Sequence, residues 1–293
     1  MNRPTPWLPI FFVALTVLVF AGFFSWRYHQ STQVPAVAEA PAQGAPAVQP
    51  EDEAPSPVPP EADAAAGIEH PVEEMAIETE TESEPAALPK LDESDDLVSG
   101  RLSGLIGQQN VLTFLQVDEF VRRVVATVDN LPRQQAPSAV WPVNPSPQRF
   151  TTLKEEGGQE IIHPDNSQRY VPIVRMVEAV DTARAVAMYR NLYPLFQQAY
   201  EELGFPGRYF NDRVVAVLDH LIATPVQAGP LAVTLVEVKG EVASTRPWVR
   251  YEFADPALQS LSAGSKMLLR TGPDNHRRLR AKLVDLRERI ARR

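Results

Sequence analysis

The sequence contains no cysteine, and this absence removes several kinds of chemistry. A disulfide scaffold, a thiolate zinc or iron–sulfur site and a cysteine nucleophile all require thiol groups. The glycine-rich patterns of phosphate and dinucleotide loops are also missing, as is the Gly-x-Ser-x-Gly pattern of a serine elbow. The sequence therefore favours a protein that is not an enzyme and carries no cofactor.

Histidine is scarce, and the five histidines show no spacing typical of a metal site. His29 and His70 lie in the N-terminal part of the chain, and His163 precedes a proline that indicates a turn. Asp212 and His220 share a predicted helix, but a metal site needs further ligands, and no His-x-x-x-His pair supplies them. The sequence predicts no metal site.

Charged side chains are absent from the run between Trp7 and Trp26, which is almost entirely apolar. A helix of about 20 residues spans about 30 Å, the thickness of the hydrocarbon core of a bilayer. Trp7, Trp26 and Arg27 lie where interfacial aromatic and cationic anchors are found. Residues 1–30 are therefore predicted to form a single transmembrane helix that binds the lipid bilayer.

Cleavage of this segment as a signal peptide is the alternative, because residues 36–38 have the small-x-small pattern of a cleavage site. The pattern lies about ten residues beyond the apolar run, so a retained anchor is favoured. Lysine and arginine are absent from residues 28–89, and a segment without positive charge is easily translocated. We expect the N-terminus in the cytoplasm and the rest of the chain across the membrane.

Residues 31–96 carry 17 acidic residues against one lysine and are rich in proline and alanine. Such a composition cannot bury enough apolar surface to offset the entropy of ordering the chain. We therefore predict a disordered linker over residues 31–91 and a folded domain over residues 92–293. The only apolar islands in the linker are residues 68–72, Ile-Glu-His-Pro-Val, and residues 75–77. They are either docking motifs or plain spacer, and plain spacer is preferred.

Positive charge is modest in the remainder of the chain. Residues 97–293 hold 25 Lys and Arg against 20 Asp and Glu, a net charge of +5, whereas residues 31–96 have a net charge of −16. A nucleic-acid-binding domain usually concentrates more basic charge on one surface. We therefore expect no nucleic-acid partner.

Helical periodicity dominates residues 92–293. Helices are predicted after Asp92, over Leu112–Leu131, through Ile173–Val177, from Asp181 to Gly204, over Val214–Leu221, and from Asp255 to the C-terminus with a break at Gly272-Pro273. Asparagine and serine are residue types that cap helix N-termini, and we predict that Asn166 or Ser167 caps the third of these helices and that Asn211 caps the fifth.

Two short stretches of alternating apolar and polar residues indicate β-hairpins. One surrounds Gly157-Gly158, and the other joins Leu231–Val238 to Trp248–Phe253. The predicted fold class is therefore mainly α: a membrane anchor helix, a linker, and one helical domain with two minor β-hairpins.

Aromatic side chains recur along one face of the predicted helix that begins at Asp181. A stripe of this kind forms either part of the core or the wall of a ligand groove, and the core is preferred. The candidate groove or core cluster comprises Tyr189, Tyr193, Tyr200, Asp212 and His220. As a groove, it would serve a hydrolase or a protein that binds a small ligand.

Basic residues concentrate in the predicted C-terminal helix, which also carries a narrow stripe of leucines. The candidate residues for contact with an anionic partner are Arg277, Arg278, Arg280, Lys282 and Arg287. The helix either binds an anionic surface or an envelope protein, or docks on its own domain through the leucines. Docking is preferred, because cations near a helix C-terminus also interact well with the helix dipole.

Several motifs together resemble a bacterial envelope family, domain of unknown function 3014. They are Val125–Pro132, Leu192–Gly204, Tyr209–Arg213, Asp219–Pro225, Tyr251–Ala257 and Leu261–Lys266. The layout of anchor, Pro/Ala/Glu linker and domain is also similar to that of the family. The resemblance implies a single-pass protein of the proteobacterial inner membrane, and it implies no catalytic activity.

The combined expectation is a single-pass inner-membrane protein with its N-terminus in the cytoplasm. Its helical domain would lie in the periplasm as a non-catalytic interaction or scaffold module that binds another component of the cell envelope. The alternative is a periplasmic hydrolase or small-ligand-binding protein that uses the aromatic groove.

Overall fold

The computed structural model describes residues 67–72, 88–237 and 246–291. These residues belong to one compact unit, Pro60–Arg293. The predicted membrane helix at residues 1–30 lies outside the described residues. Within the described ranges, no helix is both long enough and apolar enough to cross a membrane.

Helices form most of the described domain, as the periodicity predicts. In chain order they are α1 (Asp95–Ile106), α2 (Gln108–Phe114), α3 (Phe120–Asn130), α4 (Val171–Ala179), α5 (Thr182–Glu202), α6 (Phe210–Ile222), α7 (Pro256–Gln259), α8 (Ala263–Arg270) and α9 (Pro273–Ile290). A 3-10 turn at Leu91–Glu93 precedes α1, and Leu91 is buried. Leu91, the last residue of the predicted linker, therefore packs in the main core.

The main core lies between α3, α5, α6 and α9. Its most deeply buried side chains include Val121, Val125, Val186, Leu192, Leu195, Phe196, Tyr200, Phe210, Val215 and Leu218. Each fully buried aliphatic or aromatic side chain of this kind stabilises the fold by about 1.5–3 kcal/mol relative to exposure. The aromatic face of α5 therefore contributes to the core over most of its length.

The four strands form one antiparallel sheet rather than two separate hairpins, which corrects the prediction. The strands are β1 (Thr152–Lys154), β2 (Glu160–Ile162), β3 (Ala232–Leu235) and β4 (Tyr251–Phe253), in that spatial order. The two predicted hairpins are joined because β2 pairs with β3, with Ile161 opposite Ala232. This pairing satisfies backbone groups that two isolated hairpins would leave exposed at their edges. Ile161, Val233 and Phe253 are buried in the sheet.

The predicted helix over Leu112–Leu131 is interrupted, so this prediction is wrong in its boundaries. α2 ends at Phe114 and a new helix begins at Phe120. The carboxylate of Asp95 explains the new start, because it accepts hydrogen bonds from the backbone N–H groups of Glu119 and Phe120 at 2.9 and 3.3 Å. An acceptor at these free N–H groups stabilises a helix N-terminus.

The predicted helix starts at Asp181 and Asp255 are confirmed, since each side chain accepts a hydrogen bond from the backbone of the helix that follows. The two predicted asparagine caps are wrong. Asn166 lies in a 3-10 turn and donates a hydrogen bond to the backbone carbonyl of Thr151. Asn211 is the second residue of α6 and is fully buried. Both asparagines bond to distant parts of the chain, which a local pattern cannot indicate.

Candidate functional site

Residues 67–72, which the composition assigns to the linker, lie against the helical domain. Val72 is only 4% exposed and belongs to the main core cluster. By contrast, Ile68 is 58% exposed. The structure thus corrects the predicted disordered linker over these six residues, and it favours the docking motif over the plain spacer at the first apolar island.

The carboxylate of Asp212 holds the first part of this segment. Its two oxygens accept hydrogen bonds from consecutive backbone N–H groups, that of Glu69 at 3.2 Å and that of His70 at 2.8 Å. Asp212 lies in the first turn of α6, where the helix dipole favours a negative charge. The carboxylate therefore lies where the first turn of α6 meets residues 69 and 70.

Two neighbouring side chains hold the rest of the segment. The side-chain amide of Asn211 donates a hydrogen bond to the carbonyl of His70 at 2.9 Å. The hydroxyl of Tyr209 accepts one from the backbone N–H of Val72 at 2.9 Å. We call the surface formed by Tyr209, Asn211 and Asp212 the α6 groove.

Side chains of α5 satisfy the first N–H groups of α6 and so fix the direction of the groove. Gln197 accepts a hydrogen bond from the backbone N–H of Phe210 at 2.9 Å, and Tyr193 accepts one from that of Asn211 at 3.3 Å. Tyr193 in turn donates to Gln197 at 2.9 Å. Because α5 caps the helix from inside the core, the side chains of the groove remain available to the segment.

Tyr189 orients the amide of Asn211. Its hydroxyl donates to the side-chain oxygen of Asn211 at 3.3 Å, which leaves the nitrogen of that amide to face His70. Burial raises the pKa of Tyr189 well above its ordinary value, and burial is also the main cause of the raised pKa of Tyr193. Both hydroxyls therefore stay protonated at physiological pH and remain hydrogen-bond donors.

The structure brings together three of the five residues of the predicted groove or core cluster. Tyr189 and Tyr193 support the α6 groove from below, and Asp212 forms part of its surface. Tyr200 is buried in the core, where its ring stacks on Phe205 with a centroid distance of 4.7 Å. His220 lies eight residues beyond Asp212 on α6, about 12 Å along the helix.

His220 contacts a different part of the domain, the start of α8. Its Nε2 atom lies 2.8 Å from the hydroxyl of Ser262, which is buried. A Ser–His contact can serve a nucleophile and its base, but acyl transfer also needs free N–H donors for an oxyanion. Thr224 and Ser265 extend the contact into a small hydroxyl network.

The first N–H groups of α8 already have acceptors within the described chain. The backbone N–H groups of Ala263, Gly264 and Ser265 donate to the carbonyls of Arg133 and Leu131 and to the hydroxyl of Ser262, respectively. The first N–H groups of α8 thus bond to carbonyls of the chain that follows α3. Because these donors are already occupied, the arrangement favours a structural role for the Ser–His contact. Among the described residues, no group of three His, Cys, Asp or Glu side chains is placed to hold a metal ion.

The five candidate cations of α9 contact groups of their own domain. Arg277 pairs with Asp274, Arg278 with Glu178 and Arg287 with Asp219, while Arg280 and Lys282 donate to the carbonyls of Ile222 and Val180. The same helix packs Leu283, Leu286 and Ile290 against the main core. An open cleft of about 530 Å³ lies beside Arg277 and Arg280 at the end of α6.

Sequence reasoning missed the two other groove residues, Tyr209 and Asn211, and the capping residue Gln197. The signal that could have found the site is the apolar island at residues 68–72, where a proline and a valine interrupt an acidic linker. That signal identifies the segment, whereas its receptor lies about 140 residues later and leaves no local pattern.

The model of a family described as "Protein of unknown function (DUF3014)" matches residues 120–287. The match includes the α6 groove and ends within α9, while residues 67–72 precede it. No curated protein and no solved structure matches the chain.

Proposed function

The chain belongs to the DUF3014 family, and we propose that it is a membrane-anchored, non-catalytic interaction module of the bacterial cell envelope. In this proposal residues 1–30 anchor the chain in the inner membrane, and the helical domain lies in the periplasm. The observation that carries the proposal is the α6 groove, which holds residues 67–72 through the backbone of that segment.

Contacts of this kind are typical of protein–peptide recognition. Main-chain hydrogen bonds supply affinity for a bound segment, and a pocket for one side chain supplies specificity. The groove has both elements, since three of its side chains bond to the backbone and Val72 is buried. A domain with such a surface is suited to hold another protein segment rather than to transform a small molecule.

The alternative function, a periplasmic hydrolase or small-ligand-binding protein, gains no support from the geometry. Tyr193 and Tyr200 are buried side chains, and His220 lies about two helical turns away from Asp212. These residues do not converge on one cavity that could hold a substrate, so the interaction module remains the single proposal.

The envelope location is supported by the uncharged run from Trp7 to Trp26 and by the absence of Lys and Arg from residues 28–89. Fusions of alkaline phosphatase and of a green fluorescent protein after Arg293 test it. We expect phosphatase activity and a dark fluorescent fusion, both in the membrane fraction.

The matched control carries Val17→Arg and Leu18→Arg in the middle of the apolar run. Two charges at the centre of a membrane helix cost about 5–7 kcal/mol on an insertion scale, so this variant should leave the membrane fraction. A bright fluorescent fusion without phosphatase activity in the native sequence would contradict the proposed location.

A further inference from the structure

We propose that the α6 groove is a binding site for peptide segments in which proline precedes a β-branched apolar residue, and that residues 67–72 of the same chain occupy it as a displaceable latch. The inference deepens the proposed function, and it rests on that function only for the cellular compartment in which a partner peptide binds. We call residues 67–72 the latch.

The α6 groove recognises the backbone of its ligand. Glu69, His70 and Val72 each donate their backbone N–H to a groove side chain, and Pro71 has no N–H to donate. Every N–H that the chain has between Glu69 and Val72 is therefore bonded to the groove. The carbonyl of His70 is also bonded, to Asn211.

Proline restricts the backbone conformations of the segment before it binds. Pro71 fixes its own φ angle, and it restricts His70, the residue before it, to extended conformations. A segment that already has fewer accessible conformations loses less conformational entropy when it binds. Proline thus adds affinity, and it does so without forming a hydrogen bond of its own.

The third step concerns the side chains of the ligand. Val72 is 4% exposed and lies in the core cluster, whereas Ile68 is 58% exposed and Glu69 is exposed. The groove therefore encloses the side chain after the proline and leaves the earlier ones in solvent. A ligand is recognised by Pro followed by Val or Ile, because an apolar β-branched side chain suits the buried position, whereas the hydroxyl of Thr would be buried in an apolar cluster.

The fourth step is that the latch is displaceable. It contacts the groove through a few hydrogen bonds and one buried side chain, and in the sequence only residues 73–87 separate it from Leu88. A short connection gives a tethered segment an effective concentration on the order of millimolar. A partner peptide that binds with micromolar affinity can therefore compete with the latch, whereas a weak one cannot.

The test measures binding of a fluorescently labelled peptide of residues 66–74 to the full-length chain in detergent. Val72→Asp places a charge at the buried position and opens the groove. We expect the peptide to bind the Val72→Asp chain at least about 10-fold more tightly than the native chain, in which the latch competes. Adding Asp212→Asn to the open chain should weaken binding at least about 10-fold, because an amide offers one acceptor oxygen in place of two.

Two matched controls accompany these variants. Val58→Asp places the same charge elsewhere in the linker, and Asp219→Asn makes the same change seven residues further along α6. Neither should alter peptide binding. A labelled peptide in which Val72 is replaced by Asp should bind none of the chains.

A second measurement keeps the inference testable if Val72→Asp destabilises the domain. Hydrogen exchange of residues 66–74 in the native full-length chain should be slowed, independently of protein concentration, and Asp212→Asn should restore fast exchange there. Free-peptide exchange rates in the native chain would overturn the latch. Protection that disappears on dilution would overturn it too, because it would make a second copy of the chain the occupant.

The binding site itself would be overturned if a cooperatively folded Val72→Asp chain failed to bind the peptide, or bound it no better than the native chain. These outcomes do not depend on membrane topology. A cytoplasmic result from the reporter fusions would contradict the proposed location and leave the binding data unchanged, so the two failures are distinguishable.

Discussion

Gly264 is a residue at which the packing of this domain leaves no room for a larger side chain. A Cβ atom at this position would lie 2.6 Å from a methyl carbon of Leu221 and 3.3 Å from the Cβ of Leu131. Leu221 is itself buried, so its side chain has little room to move. The close approach allows the N–H of Gly264 to reach the carbonyl of Leu131 at 2.9 Å.

We predict that Gly264→Ala lowers the free energy of unfolding by about 1–3 kcal/mol, the usual cost of overpacking a core. The matched control is Gly100→Ala in α1, where an added Cβ meets nothing within 4 Å. That change should raise stability by about 0.4–1 kcal/mol, because alanine has fewer unfolded conformations than glycine. Urea unfolding of both variants measures the difference. Equal effects of the two substitutions would contradict the packing argument.

His276 is a residue whose charge state should affect stability. The side chain is 1% exposed, and its Nε2 atom has no hydrogen-bond partner among the described residues. Burial lowers the pKa of His276 below its ordinary value of 6.5, and the nearby charge of Arg280 lowers it further. The folded protein therefore keeps this imidazole neutral at a pH where the unfolded chain binds a proton.

The pH dependence follows from this difference in proton binding. Above pH 6.5 the histidine is neutral in both states and the full stability is present. As the pH falls below 6.5, the unfolded state gains a proton first, and the free energy of unfolding should decrease by up to about 1.4 kcal/mol per pH unit. His276→Gln should reduce this slope between pH 6.5 and 5. An unchanged slope in denaturant titrations would show that other groups cause it.

At the scale of secondary-structure elements, the carboxylate of Asp95 caps the start of α3 and so defines the break between α2 and α3. We predict that Asp95→Ala lowers the free energy of unfolding by about 0.5–2 kcal/mol, the usual cost of removing an N-cap acceptor. Asp96→Ala is the control, because Asp96 is exposed in the first turn of α1 and should contribute at most about 1 kcal/mol through the helix dipole. Thermal or urea unfolding distinguishes the two. A larger effect from Asp96 would place the important contact elsewhere.

The elements that the sequence predicts well are those with a long local pattern. The apolar periodicity of α5 and its aspartate cap at Asp181 are sufficient to define that helix. The break before Phe120 escapes prediction because its cause, Asp95, lies 25 residues earlier in the chain. The pairing of β2 with β3 escapes it for the same reason, since about 70 residues separate these strands.

The candidate site shows the same division between local and distant information. Tyr189, Tyr193 and Asp212 are predicted from the aromatic stripe and the chemistry of a carboxylate on the next helix. Their role is different from the one predicted, because His70 and Val72 reach them from a segment far away in sequence. Only a folded chain shows which residue the carboxylate of Asp212 contacts.

At the scale of the whole molecule, the latch should contribute to stability without being required for folding. We predict that residues 88–293 and residues 67–293, expressed separately, both unfold cooperatively. The shorter fragment should be less stable by about 1–2 kcal/mol, because the burial of Val72 and the hydrogen bonds of the segment together favour docking and the entropy of ordering the segment offsets most of this gain.

Differential scanning calorimetry of the two fragments and of the full-length chain measures this contribution. The full-length chain serves as the control for residues 1–66, which should add nothing to the stability of the domain. An unfolded 88–293 fragment would show that the latch is part of the folding core. Equal stability of the two fragments would show that the latch does not dock in solution.

The order of the contacts along the chain also has a mechanical consequence. A pulling force that enters on the N-terminal side of the latch is carried by the hydrogen bonds of Glu69, His70 and Val72 before it reaches the helical core from Leu88 onward. When these bonds break, residues 67–72 are released, up to about 20 Å of extended chain. The force then falls while the helical core from Leu88 onward stays folded. Under a pulling force, the contact between the latch and the α6 groove therefore breaks first, and the chain lengthens before the domain unfolds.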